Sequence, residues 1–231
     1  MRVRKKKWAE NELLTNPRII RDISAISGKA PACFGNGKPI HAELGCGKGQ
    51  FIALSAKKNA DINYIGIERD PTILAAAARL SADLGDPSAS DHDDPFIIGN
   101  LVFMELDARD LESVFSLGDI KRLYINFCDP WHRKKKWAKR RLTHENFIVI
   151  YERLQIPEVY LKTDNRVLFD FSVESFASKG WVLRNISYDL HQSAYVGNIM
   201  TEYEEKFASQ NLPIYRLEAY NASVIDTALK P

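Results

Sequence analysis

Three carboxylates and three glycines stand where the ends of successive strands could hold a ligand. The stretch Glu43-Leu44-Gly45-Cys46-Gly47-Lys48-Gly49 falls where a strand pattern stops and a helix pattern starts. Glycines at such a place let the backbone turn sharply and leave room for a ligand against the helix N-terminus. The spacing is G-x-G-x-G, not the dinucleotide G-x-G-x-x-G, and no Lys-Ser or Lys-Thr pair follows, which excludes a P-loop. Glu68 closes the second strand pattern, 25 residues after Glu43. An acid there can accept both hydroxyls of a ribose. Asp107 follows the third strand pattern, where a carboxylate can receive an adenine amino group. Plainer alternatives exist: the loop could be a tight βα turn and Asp107 a turn aspartate. A capping role for Glu68 is weakened because Asp70 already fills the cap position. Glycine loop, ribose acid and adenine acid, in that order, suit S-adenosylmethionine, whose cationic sulfonium needs no phosphate cradle.

A fourth strand pattern runs into Asn126-Phe127-Cys128-Asp129-Pro130-Trp131-His132. Ligands of open α/β sheets bind beyond the carboxyl ends of strands, so Asp129 points at the expected crevice. Pro130 stiffens the turn and Trp131 offers a flat apolar surface. The bland alternative is a simple turn with a packed tryptophan. His132 and His144 read as loop residues, since no second ligand stands at metal-binding spacing, and no metal is expected.

The elements that must position these residues alternate. Residues 40–44, 63–68, 101–106, 122–127 and 158–162 read as strands, and 48–59, 143–154 and 166–178 as helices. Asp70-Pro71 looks like an N-cap followed by proline at the first helical position, with Ile73, Ala77, Leu80 and Leu84 at helical spacing behind it. Strands alternating with helices predict a mainly parallel α/β sheet. Residues 181–188 and 213–222 read as two more strands without a full crossover helix between them, and so as an antiparallel end. Residues 85–95 read as an acidic surface loop.

Charge is distributed unevenly along the 231 residues. Residues 1–8 hold five basic residues, and 132–141 hold seven, with no acid in either segment. The remainder carries 20 basic against 30 acidic residues. Two dense cationic segments on an acidic body can neutralise phosphates and release counterions, and Trp137 inside the second could stack on a base. The alternative is a solvated basic loop or tail. No apolar run of about 18 residues exists to span a membrane. No apolar run follows the N-terminal charges, so no secretory signal is read. Three scattered cysteines, Cys33, Cys46 and Cys128, argue against a disulfide framework or zinc site and fit a reducing cytoplasm.

At this point the chain resembles the bacterial tRNA (guanine-N7)-methyltransferases over nearly its whole length. Asp129-Pro130-Trp131 with a basic stretch ending Lys139-Arg140-Arg141-Leu142-Thr143 is similar to the family's signature. So are Lys162-Thr163-Asp164-Asn165 and Asn198-Ile199-Met200-Thr201-Glu202-Tyr203-Glu204. The resemblance implies a Rossmann-like, seven-stranded methyltransferase sheet, mainly parallel with an antiparallel last strand. It makes residues 37–231 the methyltransferase domain and 1–36 a basic extension. It implies that Glu43, Glu68, Asp107 and Asp129, with Gly45, Gly47 and Gly49, hold S-adenosylmethionine, and that Asp129 is catalytic. Arg133 or Lys134, Asp164, Thr201, Glu202, Tyr203 and Glu204 match substrate-binding positions. Lys135, Lys136, Lys139, Arg140 and Arg141 would contact RNA. The family usually has proline where His132 stands and lysine where Arg133 stands, and the basic loop is one residue longer here. Thr201-Glu202-Tyr203-Glu204 also has the T-x-x-E form of a helix capping box.

The expected activity is methyl transfer from S-adenosylmethionine to N7 of a guanosine in the variable loop of tRNA, with no obligate protein partner implied. Competing readings keep the cofactor but change the substrate to another RNA, a protein or a small molecule, or treat the chain as a non-catalytic RNA-binding module. A nicotinamide oxidoreductase is the reading least compatible with the glycine spacing.

Overall fold

Local sequence chemistry starts each element. In a computed structural model describing residues 7–84, 99–131 and 135–228, Asp70 Oδ1 accepts the N–H groups of Thr72 and Ile73 at 2.9 and 3.3 Å. Those are donors that a helix start leaves open, and Pro71 costs nothing there. In chain order the elements of the N-terminal half are α1 (Lys7–Thr15), β1 (Ile19–Ile20), β2 (Ile40–Leu44), α2 (Gln50–Lys58), β3 (Asn63–Glu68), α3 (Pro71–Asp83) and β4 (Leu101–Glu105). Those of the C-terminal half are β5 (Ile120–Asn126), α4 (Glu145–Arg153), β6 (Glu158–Thr163), α5 (Arg166–Ser178), β7 (Val182–Ser187), α6 (Glu202–Ala208), β8 (Tyr215–Tyr220) and α7 (Ala222–Ala228).

The chain divides into two units, Met1–Phe115 and Ser116–Pro231. In the first, β1, β4, β3 and β2 lie side by side, all parallel. Their core is apolar: β2 is buried along its length, and Ile65, Ile67, Phe103 and Met104 are almost wholly shielded. Helices α2 and α3 pack on β3 and β4, and α1 packs on α3. In the second unit β5 and β6 are parallel, and β8 runs antiparallel to both β6 and β7. Helix α5 covers β6, β7 and β8, with Leu168, Phe169 and Phe176 buried beneath it. No helix among the described residues is long and apolar enough to cross a membrane.

The fold class expected from the sequence is therefore observed: α/β, mainly parallel, with an antiparallel last strand. Among the described residues the strand count is eight, not seven. The addition is β1, two residues long and paired with Phe103 and Met104 of β4, too short to show any periodicity. Helix α2 begins at Gln50 because Gly49 is its cap in a left-handed conformation, φ 80°. A seven-residue helix, α6, lies between the two antiparallel strands. The acidic loop at 85–95 and the cations before Lys7 lie outside the described residues.

Gly49 also marks a close approach. A Cβ there would stand 2.8 Å from Ala77 Cβ and 3.2 Å from Phe103 Cε1. Gly49→Ala is expected to lower stability by about 2–4 kcal/mol, combining overpacking with a left-handed backbone. Urea unfolding checks it, and an unchanged midpoint would mean that α3 yields freely.

Candidate functional site

Because β2, β3 and β4 are parallel and paired in register, from Leu44 opposite Ile67 to Glu68 opposite Glu105, their carboxyl ends share one edge of the first unit. The glycine loop is stitched to that edge. Gly45 N and Cys46 N both donate to Ile67 O, at 2.8 and 3.1 Å, and Gly49 N closes the turn on Cys46 O at 2.9 Å. Gly45 and Gly47 have φ values of 69° and 57°, and a Cβ on either would meet nothing within 4 Å. The loop thus presents bare backbone to open space, the surface a ligand needs.

Two of the expected acids flank this loop. Glu43 is 2% exposed, and among the described residues its Oε2 atom is buried without a hydrogen bond, although the residue as a whole has a partner. Glu68 Oε1 accepts the N–H groups of Arg69 and Asp70 at 2.9 and 3.0 Å, and the Gly47 N–H also bonds to its carboxylate. Burial nevertheless outweighs these bonds and raises the Glu68 carboxyl above its ordinary range. Cys46 stands among the same groups. Its thiol is pushed well up by burial and then by the charges of Glu43 and Glu68, so it remains a neutral packing group.

Asp107 is placed at the same edge, where Leu106 N donates to Glu68 O at 3.2 Å. Its side chain caps a short 3-10 turn, Ala108–Ser113. Oδ1 accepts from Arg109 N and Nε, and Oδ2 from Nη2 at 2.7 Å. These bonds from Arg109 hold the carboxyl below its usual range despite partial burial. The turn-aspartate geometry is therefore present, with an arginine fork that sequence reading missed.

The second unit gathers the remaining residues at the ends of β5 and β6. Asp129 and Asp164 are both exposed and take no hydrogen bond or ion pair among the described residues. Each follows a buried strand end, so packing fixes the backbone while the carboxylate stays accessible. Phe127 and Trp131, on either side of Asp129, hold left-handed φ values of 50° and 43°. Cys128 is pushed up to about 12 by burial and then by the neighbouring Asp129 charge.

The cationic run divides by role. Lys139 and Arg140 are exposed, and the Arg140 guanidinium lies 5.0 Å over the Trp131 ring. Trp137 meets Trp131 edge-on at 5.9 Å. Arg141, grouped by sequence with the RNA contacts, is instead 7% exposed. Its Nε donates to Pro130 O at 2.8 Å and its guanidinium lies 4.3 Å over Phe171. It clamps the Asp-Pro-Trp turn. Arg133, Lys134 and the side chains of Lys135 and Lys136 lie outside the described residues.

The T-x-x-E segment behaves as a cap. Thr201 Oγ1 accepts from Glu204 N at 3.0 Å. The Glu204 side chain does not return to the helix start; it is fully buried and pairs with Lys162 Nζ at 2.5 Å. Glu202 is half-buried, whereas Tyr203 is exposed and stacks on Phe127, centroids 6.4 Å apart and 19° between planes. Sequence reasoning missed Phe127 and Lys162 as organisers. An aromatic directly before Cys128-Asp129, and a lysine inside an otherwise apolar strand, were the signals available.

Comparisons place this architecture. A structure described as an antibiotic-related methyltransferase matches with TM-score 0.58 over 84% of this chain and 92% of that one, at 15% identity. The 16S rRNA methyltransferase KamB matches with TM-score 0.57 over 83% and 90%, at 12% identity. At such identities the likeness defines the fold, that of a methyltransferase. The family described as "Putative methyltransferase" matches residues 37–217. The tRNA (guanine-N(7)-)-methyltransferase of Listeria welshimeri is 46% identical over 222 residues, 95% of this chain and 98% of the relative. That of Bacillus velezensis is 45% identical over 94% and 96%. The chain belongs to the tRNA (guanine-N7)-methyltransferase family, a family of methyl-transferring enzymes.

Two outcomes follow from the electrostatics and the clamp. A carboxyl whose folded pKa is raised favours the native state below its unfolded value and loses that contribution as pH rises through the folded one. Glu68→Gln, which cannot ionise, is therefore expected to melt above wild type near about pH 7.5, with the gain vanishing toward about pH 4. Calorimetric melts across that range check it; a gain independent of pH would contradict the cause given. Arg141→Ala is expected to cost about 2–3 kcal/mol, with the Pro130 carbonyl left unmatched, whereas Lys139→Ala costs under about 0.5 kcal/mol. Equal thermal shifts for the two would remove the clamp.

Proposed function

We propose that the protein transfers the methyl group of S-adenosylmethionine to N7 of a guanosine in the variable loop of tRNA, acting in the cytoplasm. The observation that carries the reading is Asp129. It is an exposed carboxylate, without a partner among the described residues, at the end of a parallel strand, with a cationic turn directly after it in a chain of this family.

The residues of the first unit fit the cofactor. Open space over Gly45 and Gly47 leaves room for the methionine portion of the cofactor, and no Lys-Ser or Lys-Thr pair follows the loop to hold a phosphate. Glu68 is the candidate for the ribose hydroxyls and Asp107 for the adenine amino group, with Glu43, two residues before the first glycine of the loop, a third cofactor candidate. Gly49 shapes that loop by its packing on Ala77. S-adenosylmethionine, when bound, supplies an electrophilic methyl on a cationic sulfur.

Guanine N7 carries an in-plane lone pair and no proton, so the protein need not supply a general base. Methylation at N7 would leave the purine positively charged. Asp129 is suited to stabilise that charge and to accept hydrogen bonds from guanine N1 and N2. Asp164 shares its exposed position and serves as a second acceptor. Arg133 or Lys134 takes the substrate-lysine role, Tyr203 offers a ring face, and Thr201 and Glu202 set the start of α6. Lys135, Lys136, Lys139 and Arg140 meet the phosphate backbone, which a folded RNA presents by shape. Catalysis then rests on alignment and electrostatics.

Transfer of labelled methyl to total tRNA, followed by digestion to nucleosides, is expected to label 7-methylguanosine alone. Label in another nucleoside, in protein or in a small molecule would falsify the assignment. Asp129→Asn should keep the thermal midpoint and lose about 100-fold or more of kcat. Lys139→Ala with Arg140→Ala should weaken tRNA binding and reduce its salt slope by about two. An unaltered salt slope would take these cations off the RNA.

A further inference from the structure

Lys162 occupies an environment that lysines avoid. It lies near the end of β6 and is 6% exposed. Its Nζ donates to Asn198 Oδ1 at 3.1 Å, to Ile199 O at 2.8 Å and to Glu204 Oε2 at 2.5 Å. An ammonium has three N–H donors, and three acceptors stand within hydrogen-bond reach of it here. Glu204 is fully buried; its other oxygen accepts from Asn198 Nδ2 at 2.5 Å and stands 3.4 Å from His191 Nε2. Apolar side chains of like volume would hold the same segments together as firmly. What the ionic cluster adds is direction: three bonds at fixed angles define one register.

The segments it registers are those that carry the exposed candidate residues. Lys162 O accepts from Phe127 N at 2.9 Å, two residues before Asp129. Asp164 lies two residues beyond Lys162 on the same strand end. Glu204 follows Tyr203, whose ring rests on Phe127. One side chain and its own carbonyl thus tie together the backbones bearing Asp129, Asp164 and Tyr203.

We propose that Lys162 is a positioning residue for methyl transfer, and that Glu204 acts through Lys162, not by touching RNA. The inference rests on the functional reading above. If it holds, the two side chains are one device, and removing the second after the first costs little more.

A double-mutant cycle with Lys162→Met and Glu204→Gln tests it, measuring kcat, the KM for tRNA and the dissociation constant for S-adenosylmethionine. Each single change is expected to lower kcat about 30-fold or more, with cofactor affinity within about threefold of wild type. The double variant should lie within about threefold of the worse single one. Losses that multiply would overturn the proposal, since Glu204 would then have a contact of its own. So would cofactor affinity falling in step with kcat, the mark of general unfolding. Should the single variants fail to fold, Asn198→Ala removes two bonds, one to Lys162 and one to Glu204, and keeps the ion pair. It is expected to lower kcat about threefold or more at unchanged cofactor affinity, and a wild-type kcat there would count against the strut. A wild-type protein that methylates no tRNA defeats the functional reading itself, whereas additive losses in an active enzyme defeat only this step.

Discussion

A carboxylate taken out of water at the end of a parallel strand must find N–H donors, and at Glu68 the donors are the backbone of the site itself. Arg69 and Asp70 supply two of them from the turn into α3, and Gly47 supplies another from the glycine loop. One anion therefore fixes the loop, the end of β3 and the entry to the next helix relative to each other. The remaining desolvation is visible in the raised carboxyl. Hydrogen bonds to a charged group are roughly twice as strong as neutral ones, yet here they do not fully offset burial. Such a residual cost is what a polyol with two hydroxyl donors would relieve.

The second unit stores a different cost. Phe127 and Trp131 both take left-handed backbone conformations, which L side chains avoid by about 1–2 kcal/mol each. The three residues between them carry Asp129. The conformation persists because neighbours over-determine it: Phe127 N is bound by Lys162 O, Pro130 O by Arg141 Nε, and the Phe127 ring stacks on both Tyr203 and Phe207 of α6. A relaxed turn would let the carboxylate fold back onto the strand end. The strained one keeps it exposed on a fixed base, which is the condition for electrostatic stabilisation without reorganisation.

Sequence alone carried the elements whose signals are local. The strands at 40–44 and 63–68 and the helix at 166–178 coincide with β2, β3 and α5, because apolar runs and the Asn165 cap define them within a few residues. It could not show β1, which exists only through pairing with β4, nor α1, whose one cation, Lys7, read as the end of a basic tail and which is held by packing on α3. The site divides in the same way. Glycines, strand-end acids and the Asp-Pro-Trp turn were legible as residue types at fixed spacing. The partners of Arg141 and Glu204 were not, since each lies across the fold: Pro130 eleven residues back, Lys162 forty-two. A run of seven cations gives no hint that one of them is buried, and T-x-x-E describes the cap while concealing where the glutamate goes.

The choice of nucleophile explains why acids and cations can coexist so closely in the second unit. A reaction that required proton abstraction would need a base poised near neutrality, and adjacent arginines and lysines would depress that base out of range. Attack by guanine N7 removes the requirement, because the atom that reacts bears no proton. The same cations can then be concentrated on the turn Lys135–Arg140 without disabling a base, which is compatible with the phosphate contacts proposed for them.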